Sequence, residues 1–164
     1  MAAYSQFAPS GFPGFITREL NTVVEPGILA NITNVFYGWP VKFSAATGKF
    51  TGIAASDTAA VFAGILGRQA VQQGAQGASD LALQPLADVK QPQTIVRKGY
   101  VNVTCFVGTP VRGGIVYMRV TTVASNVFGQ LEATADGVNS VALPGVTWAS
   151  NGRDSANTAE IFIA

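Results

Sequence analysis

Residues 100–107 read YVNVTCFV and residues 115–123 read IVYMRVTTV, and these two stretches decide the fold class. In an extended chain successive side chains face opposite sides. Val101, Val103, Cys105 and Val107 therefore share one face of the first stretch, opposite Tyr100, Asn102, Thr104 and Phe106. In the second, Val116, Met118, Val120 and Thr122 lie opposite Ile115, Tyr117, Arg119 and Thr121. An apolar period of two built from β-branched and aromatic residues is the signature of half-buried strands. The intervening GTPVRGG is rich in turn formers, so the two segments are expected to pair antiparallel.

Outward from this pair the same period recurs at 40–44, 50–54, 61–66, 94–98, 129–133, 146–149 and 159–163. Turn signals separate the runs. Gly48 in ATGKF, Asp-Gly in ADGVN and Asn-Gly in SNGRD all suit tight reversals with positive φ. Short strands between frequent turns predict a mainly β chain: a single antiparallel β-sandwich or β-barrel, jelly-roll-like, and not alternating strand and helix units. Gly38-Trp39-Pro40-Val41-Lys42 is echoed by Gly108-Thr109-Pro110-Val111-Arg112. Proline is tolerated at the first position of a strand, so each copy is expected to open one. Shared turn geometry accounts for five similar residues as well as duplication does.

Two segments break the pattern. Residues 3–16, AYSQFAPSGFPGFI, hold four aromatic rings and no charge. Pro9, Gly11, Pro13 and Gly14 interrupt every apolar run, and Arg18 is the first cation, which argues against a secretory signal. No run approaches the roughly 20 apolar residues of a membrane span. The prolines disfavour helix, so residues 1–20 are expected to form an extended arm, with residues 21–164 as the β-rich domain. Rings at Tyr4, Phe7, Phe12 and Phe15 each gain roughly 1.5–3 kcal/mol if buried. The surface that buries them is either their own domain or another chain. Residues 68–93 are rich in Gln, Ala and Gly without a clear period and read as one long loop, with room for a helical turn capped by Ser79 or Asp80 and limited by Pro85. Gln72, Gln73 and Leu81 are its candidate partner contacts.

At 164 residues a single domain is the simplest organisation. Charged side chains make up 12%, ten basic and nine acidic, about half the usual share. No basic patch offers itself to a nucleic acid. The complete absence of histidine removes Ser-His and Cys-His nucleophile pairs, histidine metal sites and histidine proton shuttles. The acids stand singly, and neither a phosphate loop nor a Gly-x-Ser-x-Gly elbow occurs. No catalytic, cofactor-binding or metal-binding residue is therefore expected. Cys105, the only cysteine, sits in VTCFV as a buried small hydrophobe. The sequons at Asn31 and Asn102 read as accidental.

The order YSQFAPSGFPGFI, then YGWPVKFSAATGKFTGIA, then VRKGYVNVTCFVGTPVRGGIVYMRV resembles the capsid decoration, or structural cement, proteins of tailed bacteriophages. The shared features fall at Gly11 through Gly14, Gly38 through Val41, Gly52-Ile53 and Gly113 through Tyr117. The resemblance implies a non-enzymatic virion protein, made in the host cytoplasm, that sits on the outer face of an icosahedral head and bridges neighbouring major capsid protein subunits. It also implies self-association as a homodimer or homotrimer, with neither nucleic acid nor membrane as partner. An apolar arm can cross a subunit seam that a compact domain cannot, at an ordering cost met on binding. Tyr4, Phe7, Phe12, Phe15, Arg18, Gln72, Gln73 and Leu81 become the expected partner-binding set. Arg18, Arg112 and Arg119 are either partners for capsid acids or solvated charges.

Two other classes compete. A carbohydrate- or receptor-binding β-sandwich would stack sugars on Tyr37, Trp39 or Trp148, although tryptophans more often fill cores. A hydrolase would need two carboxylates such as Asp57 and Asp136 brought together.

Overall fold

A computed structural model of the chain describes residues 11–31, 35–68 and 92–164. Its strands are β1 (Ile16–Gly27), β2 (Pro40–Ser44), β3 (Lys49–Gly52), β4 (Phe62–Gly67), β5 (Gln93–Val107), β6 (Ile115–Arg119), β7 (Leu131–Glu132), β8 (Ser140–Trp148) and β9 (Thr158–Ile163). The only helical pieces among the described residues are two single 3-10 turns, Ala59–Val61 and Gly137–Asn139. The chain is mainly β, as its period of two predicts.

Strands follow the order β3-β2-β4-β5-β7-β6-β8-β9, and β9 returns to pair with β5. The ring β5-β7-β6-β8-β9 is thereby a closed barrel, while β1 to β4 extend from β5 as additional strands. The fifteen-residue β5 makes this possible. β4 pairs with it from Thr94 to Val96 and β9 from Gly99 to Thr104, while β1 pairs with it between Gln93 and Val101.

The expected direct pairing of 100–107 with 115–123 does not occur. β7 lies between them, parallel to β5 through Cys105↔Leu131 and antiparallel to β6 through Met118↔Leu131. The reason lies in the connecting turn, whose backbone groups are used elsewhere. Gly113 donates to the Trp148 carbonyl, Trp148 donates back to Gly114, and Gly152 donates to Pro110. The turn is thus bound to β8 and its following loop, which leaves an opening that β7 fills. The echo motif divides likewise. Pro40 opens β2, whereas Pro110 lies in the turn and opens no strand. What the two copies share is a left-handed glycine, with φ 79° at Gly38 and 81° at Gly108.

Inside the barrel the alternation holds. Val101, Val103, Cys105, Val116, Met118 and Val120 are buried with Leu131, Leu143, Trp148 and Ile161 in one core. A second, smaller core of Leu29, Val35, Val41, Phe50, Leu66 and Ile95 fills the space between the β2-β3-β4 extension and the start of β5. The outer edge of β3 is not left bare, since Phe50 donates to Ile28 and Ala30 donates to Phe50, each at 2.8 Å. Covering an edge in this way removes a template for unwanted strand pairing.

Candidate interaction surface

Residues 12–15, Phe-Pro-Gly-Phe, form a tight turn closed by the Phe15 N–H donating to the Phe12 carbonyl at 3.0 Å. Proline second and a glycine of φ 83° third are the marks of a type II turn. Strand β1 follows at once from Ile16, so the last five residues of the expected arm lie in the sheet.

The turn is fastened to the domain by main-chain groups. Gly14 donates to the Asn102 carbonyl at 2.7 Å, Asn102 donates to Phe15 at 2.9 Å, and Arg68 donates to Gly14 at 2.7 Å. The approach is so close that a Cβ on Gly14 would stand 3.0 Å from Arg68 N, Gly38 N and Leu66 O, all backbone. Pro13 and Gly14 are buried as a result. Phe12 and Phe15, on either side, remain 44% and 53% exposed. The pair thus stands outward on a fixed base.

Arg68 completes the base. Its side-chain Nε donates to the Pro13 carbonyl at 3.3 Å. Its guanidinium lies 4.8 Å from the Tyr37 ring centre and 5.8 Å from that of Phe12. Both distances fall within cation–π range. Burial pushes the Tyr37 phenol up, and the Arg68 charge partly offsets that rise. Burial likewise lowers Arg68, with Tyr37 opposing.

The remaining expected contacts divide. Tyr4, Phe7, Gln72, Gln73 and Leu81 lie outside the described residues. Arg18 is engaged within its own chain, 2.8 Å from Glu160 and with its Cζ 4.0 Å from the Tyr100 ring centre. Arg112 is exposed at the 108–114 turn. Arg119 is neither a surface partner nor solvated. It is 1% exposed, 2.5 Å from the fully buried Glu132 and 2.6 Å from Asp136. Strand alternation turns Arg119 away from Met118 and the barrel core, where a carboxylate brought in by β7 meets it. Burial raises Glu132, with Arg119 opposing. The Arg119 hydrogen bond, helped by Asn139, holds Asp136 below the usual carboxylate range.

Residues named for other chemistries are committed to structure. Trp39 is 4% exposed and packs against Phe36 and Phe106, and Trp148 is 1% exposed in the barrel core. Asp57 accepts from Lys42 and from the Ala54 N–H, each at 2.7 Å, and Asp136 serves Arg119. No cluster of three or more metal-ligating side chains occurs among the described residues, and no helix there is long and apolar enough to cross a membrane. Cys105 is fully buried, as its setting predicts, and burial raises its thiol. The Asn102 sequon is closed to modification in the folded chain because that side chain is fully buried.

Sequence reasoning missed Arg68 as a site residue and the turn as a turn. The signal for the turn was present in Pro13-Gly14, a dipeptide that marks the centre of a type II turn. Nothing local marks Arg68, whose partners are more than fifty positions away at Phe12 and Pro13.

A family model described as "Structural cement protein (E217 gp24/Pam3 gp6)" matches residues 2–164. No curated protein matches. Among solved structures, a chain of the capsid of Myoviridae phage XM1 superposes with a TM-score of 0.70 at 20% identity, covering 99% of this chain and 98% of that one. At that identity the likeness establishes the fold.

Proposed function

Because the chain belongs to the phage structural cement protein family, we propose that it is a non-enzymatic virion protein that binds the outer face of the head and bridges neighbouring major capsid protein subunits. The observation that carries this reading is the family match over nearly the whole chain. The aromatic pair Phe12 and Phe15 supplies the chemistry. Two half-exposed rings on a rigid base are costly in water and lose little freedom when a partner covers them, which is what a binding anchor requires. Tyr4, Phe7, Gln72, Gln73 and Leu81 belong to the same proposed partner-binding set. Self-association as a dimer or trimer multiplies these contacts on one particle.

Co-sedimentation tests the reading. Heads lacking this protein are mixed with the intact chain, a chain without its first fifteen residues, and the Phe12→Ala/Phe15→Ala double variant. The intact chain is expected to pellet with heads and raise their heat resistance, and the altered chains to do neither. Equal binding and protection by all three would sink the proposal. Sedimentation velocity of the free protein reports the dimer or trimer.

The sugar-binding alternative loses its two tryptophans to the interior. The carboxylate alternative loses Asp57 and Asp136 to Lys42 and Arg119.

A further inference from the structure

We propose that Arg68 is the positioning residue of the head-binding surface, setting the orientation in which Phe12 meets the capsid. This rests on the reading above and adds a residue to it. One residue grips two consecutive carbonyls of the turn, Gly14 through its backbone N–H at 2.7 Å and Pro13 through its side-chain Nε at 3.3 Å. The same guanidinium lies over Tyr37 on the domain side and reaches Phe12 on the solvent side.

The division of labour follows from the chemistry of each contact. The backbone bond from Arg68 survives any substitution there that keeps the fold, so the turn stays in place. The side-chain bond to Pro13 and the cation beside the Phe12 ring do not survive loss of the guanidinium. Phe12 is 44% exposed, so much of its ring stands open to solvent. Arg68 restricts it, and its removal leaves Phe12 free to rotate and raises the ordering cost when the head is bound. Arginine suits the role better than lysine, because a planar cation can lie on a ring while its edge donates a hydrogen bond. Tyr37, its ring centre 4.8 Å from the guanidinium, is the domain-side partner of that cation.

The test compares Arg68→Met, Arg68→Lys and Phe12→Ala, alone and combined, for affinity to heads lacking this protein and for melting temperature. Arg68→Met is expected to weaken binding about fivefold, as loss of one exposed cation–π contact implies, and Arg68→Lys less. Melting temperatures should stay close to that of the parent. With Phe12 already replaced, Arg68→Met should cost no further affinity. An absorbance titration supplies an independent readout, because loss of the Arg68 charge moves Tyr37 to still higher pH. If Arg68→Met weakens binding equally with and without Phe12, Arg68 touches the head itself or acts through stability, and the positioning role is wrong. If Phe12→Ala weakens binding and Arg68→Met does not, that role fails while the head-binding surface stands. If Phe12→Ala has no effect, the surface itself is refuted.

Discussion

The barrel interior and the turn at residues 12–15 both carry large apolar side chains, but the chain treats them in opposite ways. In the barrel, backbone ladders set the frame and side chains such as Trp148 and Ile161 fill it until nothing is exposed. At the turn the backbone groups and Pro13 are the buried part, and the two phenylalanines stay outside. Apolar content alone therefore does not report burial. What decides is whether the backbone or the side chain fastens a segment to its neighbours. A segment held by its amides is free to spend its side chains on something else.

That contrast can be broken from the barrel side first. Trp148→Ala should cost about 4 kcal/mol through lost contact and a cavity, read by denaturant unfolding. Glu132→Ala should follow at about 3 kcal/mol, because it leaves the Arg119 cation buried without its main partner. Replacing both Arg119 and Glu132 by apolar residues of similar size should be far milder than the single change, and equal damage would show that the ion pair is not the cause.

At the turn the effects on stability are smaller and those on binding larger. Gly14→Ala should cost about 1–3 kcal/mol, since φ 83° strains any L-residue and its Cβ would press on three backbone atoms. Head binding should fall with it, because both rings shift. Phe12→Ala/Phe15→Ala should leave stability within about 0.5 kcal/mol of the parent, and a larger loss in thermal unfolding would mean the rings belong to the core after all. The smallest effect concerns pH. Asp136 titrates lower when folded than its ordinary value of about 4, so the unfolded chain takes up the proton first as pH falls. Its stabilising share is complete above that ordinary value and is lost as pH drops through the lower, folded one. Asp136→Asn should remove that part of the acid slope and lower stability at neutral pH, with parent and variant converging as pH falls through the folded titration.

Much of the sheet was legible. Pro40–Ser44 emerged with its bounds intact, and Val101, Val103, Cys105, Val116 and Met118 fell inward, because alternation is a local property that burial on one face enforces. Pairing was less legible. A two-residue strand such as β7 carries no period of its own, yet it separates β5 from β6. Strand β1 was hidden by the break around Asn21, whose φ of 64° interrupts the register with β5. Arg119 misled because alternation says only that it faces away from the core, and the carboxylate that permits its burial is brought by another strand. Phe12 and Phe15 were found as rings needing a partner. The amide groups that hold them out, on Asn102 and Arg68, are distant in sequence and of a kind that every residue possesses.

The fastening of the turn through Asn102 has a consequence for change over time. Asn102 contributes only its peptide groups to that attachment, and Phe12 and Phe15 contribute nothing but theirs to closing the turn. A mutation that rewrites either ring leaves the main-chain bonds of the attachment chemically untouched. In the head-binding role we propose, the two rings can thus change one letter at a time without renegotiating how the protein folds.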